Sequence, residues 1–174
     1  NVQTVITGSV RELCRAAEQA AAALGYTPIL LTDRLCCQAR EAGSMLASIL
    51  KTHAQDNHSL AFIAGGETVV RLTGKGKGGR NQELALGAAE GIAGIENAAV
   101  FSVGSDGTDG PTDAAGGYAD GYTCRKLAES GLSAYEFLEN NDAFHALQKT
   151  GGLIITGPTG TNVNDVAVGL LRVE

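Results

Sequence analysis

The chain has no tryptophan and only four phenylalanines among 174 residues. Its core must therefore rest on Ala, Val, Leu and Ile. Long apolar runs are also missing. None reaches the roughly 18 residues of a membrane span, and no signal-peptide pattern opens the chain. Positive charge is in short supply, with 13 Lys and Arg against 19 Asp and Glu and a net charge of −6. That balance argues against a general nucleic-acid binder. The four cysteines, Cys14, Cys36, Cys37 and Cys124, form no CxxC pair and no regular framework. They read as reduced thiols of a cytoplasmic protein. There is no Walker A motif, no G-x-S-x-G, and no complete EF-hand loop. His53, His58 and His145 lack partners at ligand spacing, so neither a P-loop NTPase nor a nucleophilic hydrolase is supported.

What the chain has in excess is glycine. Its 24 glycines concentrate between Gly65 and Gly117 and again between Gly151 and Gly160. Loops of unusual backbone geometry are thus a main feature. The length suits one domain.

Helical and strand-like patterns alternate along the sequence. Val2–Ile6 reads as a strand, followed by a helix from a Ser9 N-cap to Gly25. "YTPILL" is a strand, and Asp33 opens a helix to about His53. "SLAFIAGG" is a buried strand, and "ETVVRLT" reads as an edge or antiparallel one. A helix over Asn81–Ile92 precedes the strand "AAVFSVG", and residues 104–117 read as a loop. Helical patterns cover Gly121–Glu129 and Asn141–Lys149, and "GGLIITG" and "VAVGLLRV" are strands. The expected fold is a layered α/β/α domain with a mixed sheet and Gly-rich loops at strand ends. In such sheets ligands bind beyond the carboxyl ends of strands.

Three loops carry chemistry. "TGKGKGGRNQE" sets Lys75, Lys77 and Arg80 among glycines ahead of a helix, with no acid between Thr68 and Gln82. Backbone N–H groups there, as at Gly76, Gly78 and Gly79, together with a helix N-terminus, would suit an anion. Gly74, Gly76 and Gly79 also satisfy G-x-G-x-x-G, but the nearest suitable acid, Asp106, lies 27 residues after Gly79. A Rossmann unit wants it about 20 on. The bland alternative is a solvated turn. "GSDGTDGPTDAAGGYAD" groups Asp106, Asp109, Asp113 and Asp120. Each suits a turn, yet together they repel, and a hard cation such as Mg²⁺ or a substrate hydroxyl would relieve that. "TGPTGTNVND" offers Thr159 and Asn162 as donors, and Glu67 in "GGET" could orient a cation or Arg80. A cationic glycine loop with an acidic loop suits phosphoryl transfer. Substrate identity does not follow from spacing.

"GGETVVRLTGKGKGGRNQELAL", "GSDGTDGPTDAAGG" and "GPTGTNVNDV" resemble the carboxy-terminal MOFRL domain of type-2 glycerate kinases, over about residues 60–170. "TPILLTDRL…AREAG" resembles the segment just before it. The resemblance implies one domain over residues 1–174 that forms the carboxy-terminal part of a two-domain enzyme. Such enzymes transfer a phosphoryl group from ATP to glycerate, with Mg²⁺, in the interdomain cleft. It also implies that Arg80 binds substrate or phosphate and that Lys75, Asn81 and Glu83 shape that corner. Asp106, Asp109, Thr159 and Asn162 would face the cleft, and Asp106, Asp109 and Asp113 would be metal candidates. The partners implied are the missing amino-terminal domain, glycerate and ATP, with no tightly bound cofactor in this chain itself, no nucleic acid and no membrane. Oligomerisation is left open. Cys37-Gln38-Ala39 departs from the family's usual Gly-Glu-Ala. The start without Met suggests a fragment, which would fold but turn over little substrate alone. A stand-alone phosphometabolite-binding or regulatory module is the alternative, and hydroxypyruvate reductase, a frequent family label, is a third reading.

Overall fold

The computed structural model describes residues 2–3 and 8–173, and the strand expected over Val2–Ile6 lies largely outside them. The chain runs α1 (Val10–Ala23), β1 (Thr27–Leu35), α2 (Ala39–His53), β2 (Leu60–Gly66), α3 (Arg80–Ala88) and β3 (Ala98–Gly104). It continues through β4 (Gly116–Asp120), α4 (Thr123–Ala128), α5 (Ala134–Glu139), α6 (Ala143–Thr150), β5 (Leu153–Ile154) and β6 (Asp165–Leu171). The six strands make one mixed sheet in the order β1-β2-β6-β3-β4-β5. Only β1 and β2 run parallel; the other neighbours are antiparallel.

The layers follow from two-residue alternation along the strands. On β6, Val166 and Val168 turn to one face and pack with Cys14 and Ala21 of α1. Ala167 and Leu171 turn to the other, against Leu46 and Leu50 of α2 and Leu84 of α3. The helices α4, α5 and α6 extend that second layer around Ala85, Leu86 and Leu147. This is the α/β/α arrangement with a mixed sheet that the sequence pattern predicts. Small residues let the second layer close tightly. A side chain at Gly43 would run into the Leu84 carbonyl, so α2 and α3 touch backbone to backbone.

Several elements differ from the sequence reading. β1 continues through Asp33 to Leu35, and α2 starts only at Ala39. "ETVVRLT" forms no strand, apart from a single parallel bridge between Val69 and Gln38. "GGYAD", expected as loop, is β4, held between β3 and β5. The strand expected over "GGLIITG" is reduced to Leu153–Ile154, which pairs with β4 alone.

The register brings the important loops to one end of the sheet. Gly66 and Gly104 both lie opposite Asp165, and Leu35 lies opposite Gly66. Gly66 has a φ of 151°, and a Cβ there would strike the Leu35 backbone. Only glycine lets the chain leave β2 at this point.

Candidate functional site

Helix α3 begins in the middle of this end of the molecule. Asn81, Gln82 and Glu83 are each no more than 2% exposed, which is unusual for the first turn of a helix. Each needs a partner within the protein. Asp109 is the main one. Its Oδ1 accepts the Asn81 backbone N–H at 3.1 Å and Asn81 Nδ2 at 3.2 Å, and its Oδ2 accepts the Gln82 N–H at 2.9 Å. Ser102 Oγ donates to Asn81 Oδ1, and Gln82 Nε2 donates to Asp109 O and Thr112 Oγ1. The anion at the positive end of this helix is therefore the protein's own carboxylate. Burial pushes the Asp109 carboxyl above its ordinary range, opposed by the N–H groups of Gln82 and Asn81.

The sequence suggests that the glycine-loop N–H groups converge on a ligand. Those of residues 73–77 point elsewhere, while Gly78 and Gly79 line the cavity described below. Thr73 and Gly74 N–H donate to Asn141 Oδ1 at 2.7 and 2.8 Å. Lys75 N–H donates to Asn140 Oδ1, Gly76 N–H to Asn140 O, and Lys77 N–H to Asp142 Oδ1. Five successive amides, residues 73–77, are thus engaged by the turn between α5 and α6. Glu83 is likewise turned inward, with Oε1 on Arg40 Nε at 3.2 Å and Oε2 on Asn141 Nδ2 at 3.1 Å. What the loop presents is side-chain charge.

Arg80 is the other fixed cation. Its Nε and Nη2 reach Asp165 Oδ2 and Oδ1 at 2.5 and 2.9 Å, and Glu67 Oε1 lies 3.6 Å from Nη2. The hydrogen bonds to Asp165 raise the guanidinium pKa still further, so its charge is permanent. The sequence offers Glu67 as its partner, whereas Asp165 makes the two-pronged contact.

The acidic and cationic loops do meet. A side chain at Gly79 would collide with the Asp109 carboxylate, and one at Gly110 with the Gly78 carbonyl. Gly110 and Pro111, not carboxylates, are what the acidic loop adds to an open cavity of about 620 Å³. Lys75, Gly76, Gly78, Gly79 and Arg80 line it, and Val69 and Leu72, 55% and 80% exposed, stand on its rim. Asp106 and Thr159 form a separate cluster with Ser105. Asp106 Oδ1 accepts Thr108 N–H, and Thr159 bonds the carbonyls of Ser105 and Asp106. Asn162 Oδ1 accepts the Asn164 N–H within its own loop, and Asp113 is exposed.

These placements bear on a metal. Asp109 is occupied by helix N–H groups, and among the described residues no group of three His, Cys, Asp or Glu side chains could hold an ion. Asp106, Asp109 and Asp113 therefore do not gather into a three-carboxylate Mg²⁺ site among the described residues. Nor is there, among the described residues, a helix long and apolar enough to cross a membrane.

Sequence reasoning missed Asn141 and Arg40 altogether. A turn "ENND" between two helical patterns is the only signal for the first, and nothing local marks the second.

A profile of the MOFRL family matches residues 60–165. The chain is 50% identical to a D-glycerate 2-kinase of Thermotoga maritima, over 98% of its own length and 42% of that protein's. A glycerate 2-kinase of Pyrococcus horikoshii is 40% identical, again over 98% of this chain and 40% of the relative. The crystal structure of a glycerate kinase from Thermotoga maritima superposes with a TM-score of 0.95 at 48% identity, covering 99% of this chain and 42% of that one. The chain thus spans about 40% of the length of the curated relatives it matches.

Proposed function

The chain belongs to the MOFRL family, and from that premise we propose that it acts as the carboxy-terminal part of a glycerate 2-kinase. ATP and glycerate would meet between this chain and the remainder of the protein, and the γ-phosphoryl group would pass to a glycerate hydroxyl. One observation carries the reading. Lys75 and Arg80 line a wide, open cavity whose rim is apolar and exposed, in a chain two-fifths the length of its relatives. Such a hollow is half of a cleft, with Val69 and Leu72 suited to contact the rest of the polypeptide.

Phosphoryl transfer asks mainly for positioning and for positive charge on the transferring group. Glu83 is the cavity's only lining acid among the described residues, and it is buried and paired with Arg40. Arg80 is itself paired with Asp165, so the positive charge the cavity offers without an acidic partner is that of Lys75. Arg80 keeps Nε and Nη2 on Asp165, which fixes its plane and leaves Nη1 to meet an anionic oxygen. Lys75 supplies a second, mobile charge. ATP is the phosphoryl donor in this reading. We assign any Mg²⁺ to ATP and the rest of the protein, and no step here depends on it.

Two other readings have less support. A nicotinamide cofactor at G-x-G-x-x-G would need the amides of Gly74 and Gly76, which Asn141 and Asn140 take up, and would meet the Asp109 carboxylate at the helix start. A binding-only module for phosphorylated metabolites at the basic loop would have to rely on Lys75 and Arg80 without the amides of residues 73–77.

The test is an assay of the full-length protein with ATP and glycerate, in the wild type and as Arg80→Lys. Lysine keeps the charge and spares Asp165 from isolation, but loses the planar fork. We expect kcat/KM to fall by about 10²–10³. Undiminished activity would remove Arg80 from the mechanism, and a wild type that phosphorylates no glycerate would end the kinase reading.

A further inference from the structure

We infer that Asn141 is a positioning residue for the cationic loop. Its amide holds residues 73 and 74 and, backed by the Arg40–Glu83 pair, fixes the turn whose Asn140 and Asp142 hold residues 75–77, so that Lys75 enters the cavity from a fixed backbone. A loop of this composition would otherwise sample many conformations.

Asn141 sits in a left-handed conformation with φ 52° and is 6% exposed. Both ends of its amide are used. Oδ1 accepts the N–H groups of Thr73 and Gly74, while Nδ2 donates to Arg71 O at 3.0 Å and Glu83 Oε2 at 3.1 Å. Two N–H donors, with the Thr73 hydroxyl 3.3 Å away, meet one end and two acceptors the other, a pattern that only a primary amide satisfies. Behind it, Arg40 holds Glu83 Oε1 with Nε, Glu139 Oε1 with Nη1 at 3.0 Å, and Leu138 O with Nη2. One guanidinium thus clamps the end of α5 that leads into Asn141. Asn140 and Asp142 flank it and take the amides of Lys75, Gly76 and Lys77. Residues 73–77 are thus bound one after another before any substrate arrives. Ordering it in advance lowers what binding must supply.

The activity part of the test rests on the kinase reading above; the hydrogen-exchange part does not. In the full-length protein, Asn141→Asp keeps the oxygen that accepts both N–H groups but sets a carboxylate oxygen against Glu83 Oε2 and Arg71 O. Asn141→Gly removes the amide and keeps the left-handed backbone, which covers the case where the first variant does not fold. Combining Asn141→Asp with Glu83→Gln restores the contact with its polarity reversed. The amide brought in by Glu83→Gln can donate to the new carboxylate and still accept from Arg40.

We expect the amides of residues 73–77 to exchange at least about tenfold faster in either single variant at position 141. KM for glycerate or ATP should rise about tenfold, with kcat changed less. The double variant removes the clash at position 83 but leaves Arg71 O without its donor, so it should recover part of both. Wild-type protection of those amides in both single variants would overturn the proposal. So would a double variant that regains protection and thermal stability while KM stays high, because the splint would then be structural only. If the wild type transfers no phosphoryl group, the kinase reading fails by itself, and the exchange measurement still decides the splint.

Discussion

Two of the glycine-rich loops at this end of the sheet are held very differently. Residues 73–77 give all five amides to the α5–α6 turn. Residues 156–164 hang on a few contacts to Ser105 and Asp106, with Thr159 and Val163 as the anchors. Glycine content therefore says where the backbone can bend. Whether it does bend is decided by partners far away in sequence.

The most severe way to break the first region is through the helix that supports it. Asp109→Ala leaves the Asn81 and Gln82 amides and Asn81 Nδ2 buried without an acceptor. We expect a loss of about 3 kcal/mol, or a thermal midpoint roughly 6–12 °C lower. A loss below about 1 kcal/mol would show that the carboxylate is not needed as a cap. The same residue gives a pH signature. Burial raises its folded-state pKa, so the folded protein holds this proton more tightly than the unfolded chain does. Its contribution is then full below the unfolded carboxyl pKa of about 4 and is lost as pH rises through the folded value. Urea unfolding of wild type and Asp109→Asn across that window should show the wild type's relative advantage shrinking as pH increases.

Asp109 also marks the limit of what was legible. That an acidic loop follows β3, and that a helix follows the cationic loop, can be read directly from the residues. Which way the carboxylate turns depends on a helix start 28 residues away, and no local pattern encodes that. Long segments such as α1, with its Ser9 cap, and the continuous apolar run of β6, buried on both faces, were legible because their burial pattern lies in the sequence itself. β4 was not. "GGYAD" has little strand propensity, and its conformation comes from insertion between β3 and β5. "ETVVRLT" erred in the opposite direction. Its β-branched residues suit a strand, but after Gly66 the chain has left the sheet and only Val69 finds a partner.

A smaller perturbation addresses the splinted loop itself. At Gly76 an added Cβ would lie 2.6 Å from Asn140 O and 2.7 Å from the Asp142 Cα, both backbone atoms that cannot rotate away. Gly76→Ala should force the loop off the α5–α6 turn and cost about 2 kcal/mol. Hydrogen exchange should then show residues 73–77 losing protection together, because they share one support. Loss confined to residue 76 would mean that the five amides are held independently.

The smallest effect is expected in the loosely held loop, and it sharpens the contrast most. Gly157 has φ 71° and open space where a Cβ would go. Gly157→Ala therefore meets only the backbone strain of a left-handed alanine, about 1 kcal/mol. The loop can relax some of that, since few contacts fix it. In this chain alone the thermal midpoint should fall by no more than about 4 °C. The informative comparison is the same substitution in the full-length protein. If the remainder of the polypeptide closes over residues 156–164, the free space beside Gly157 disappears and the cost climbs toward that of Gly76→Ala. An equal, small effect in both settings would place this loop outside the cleft proposed above.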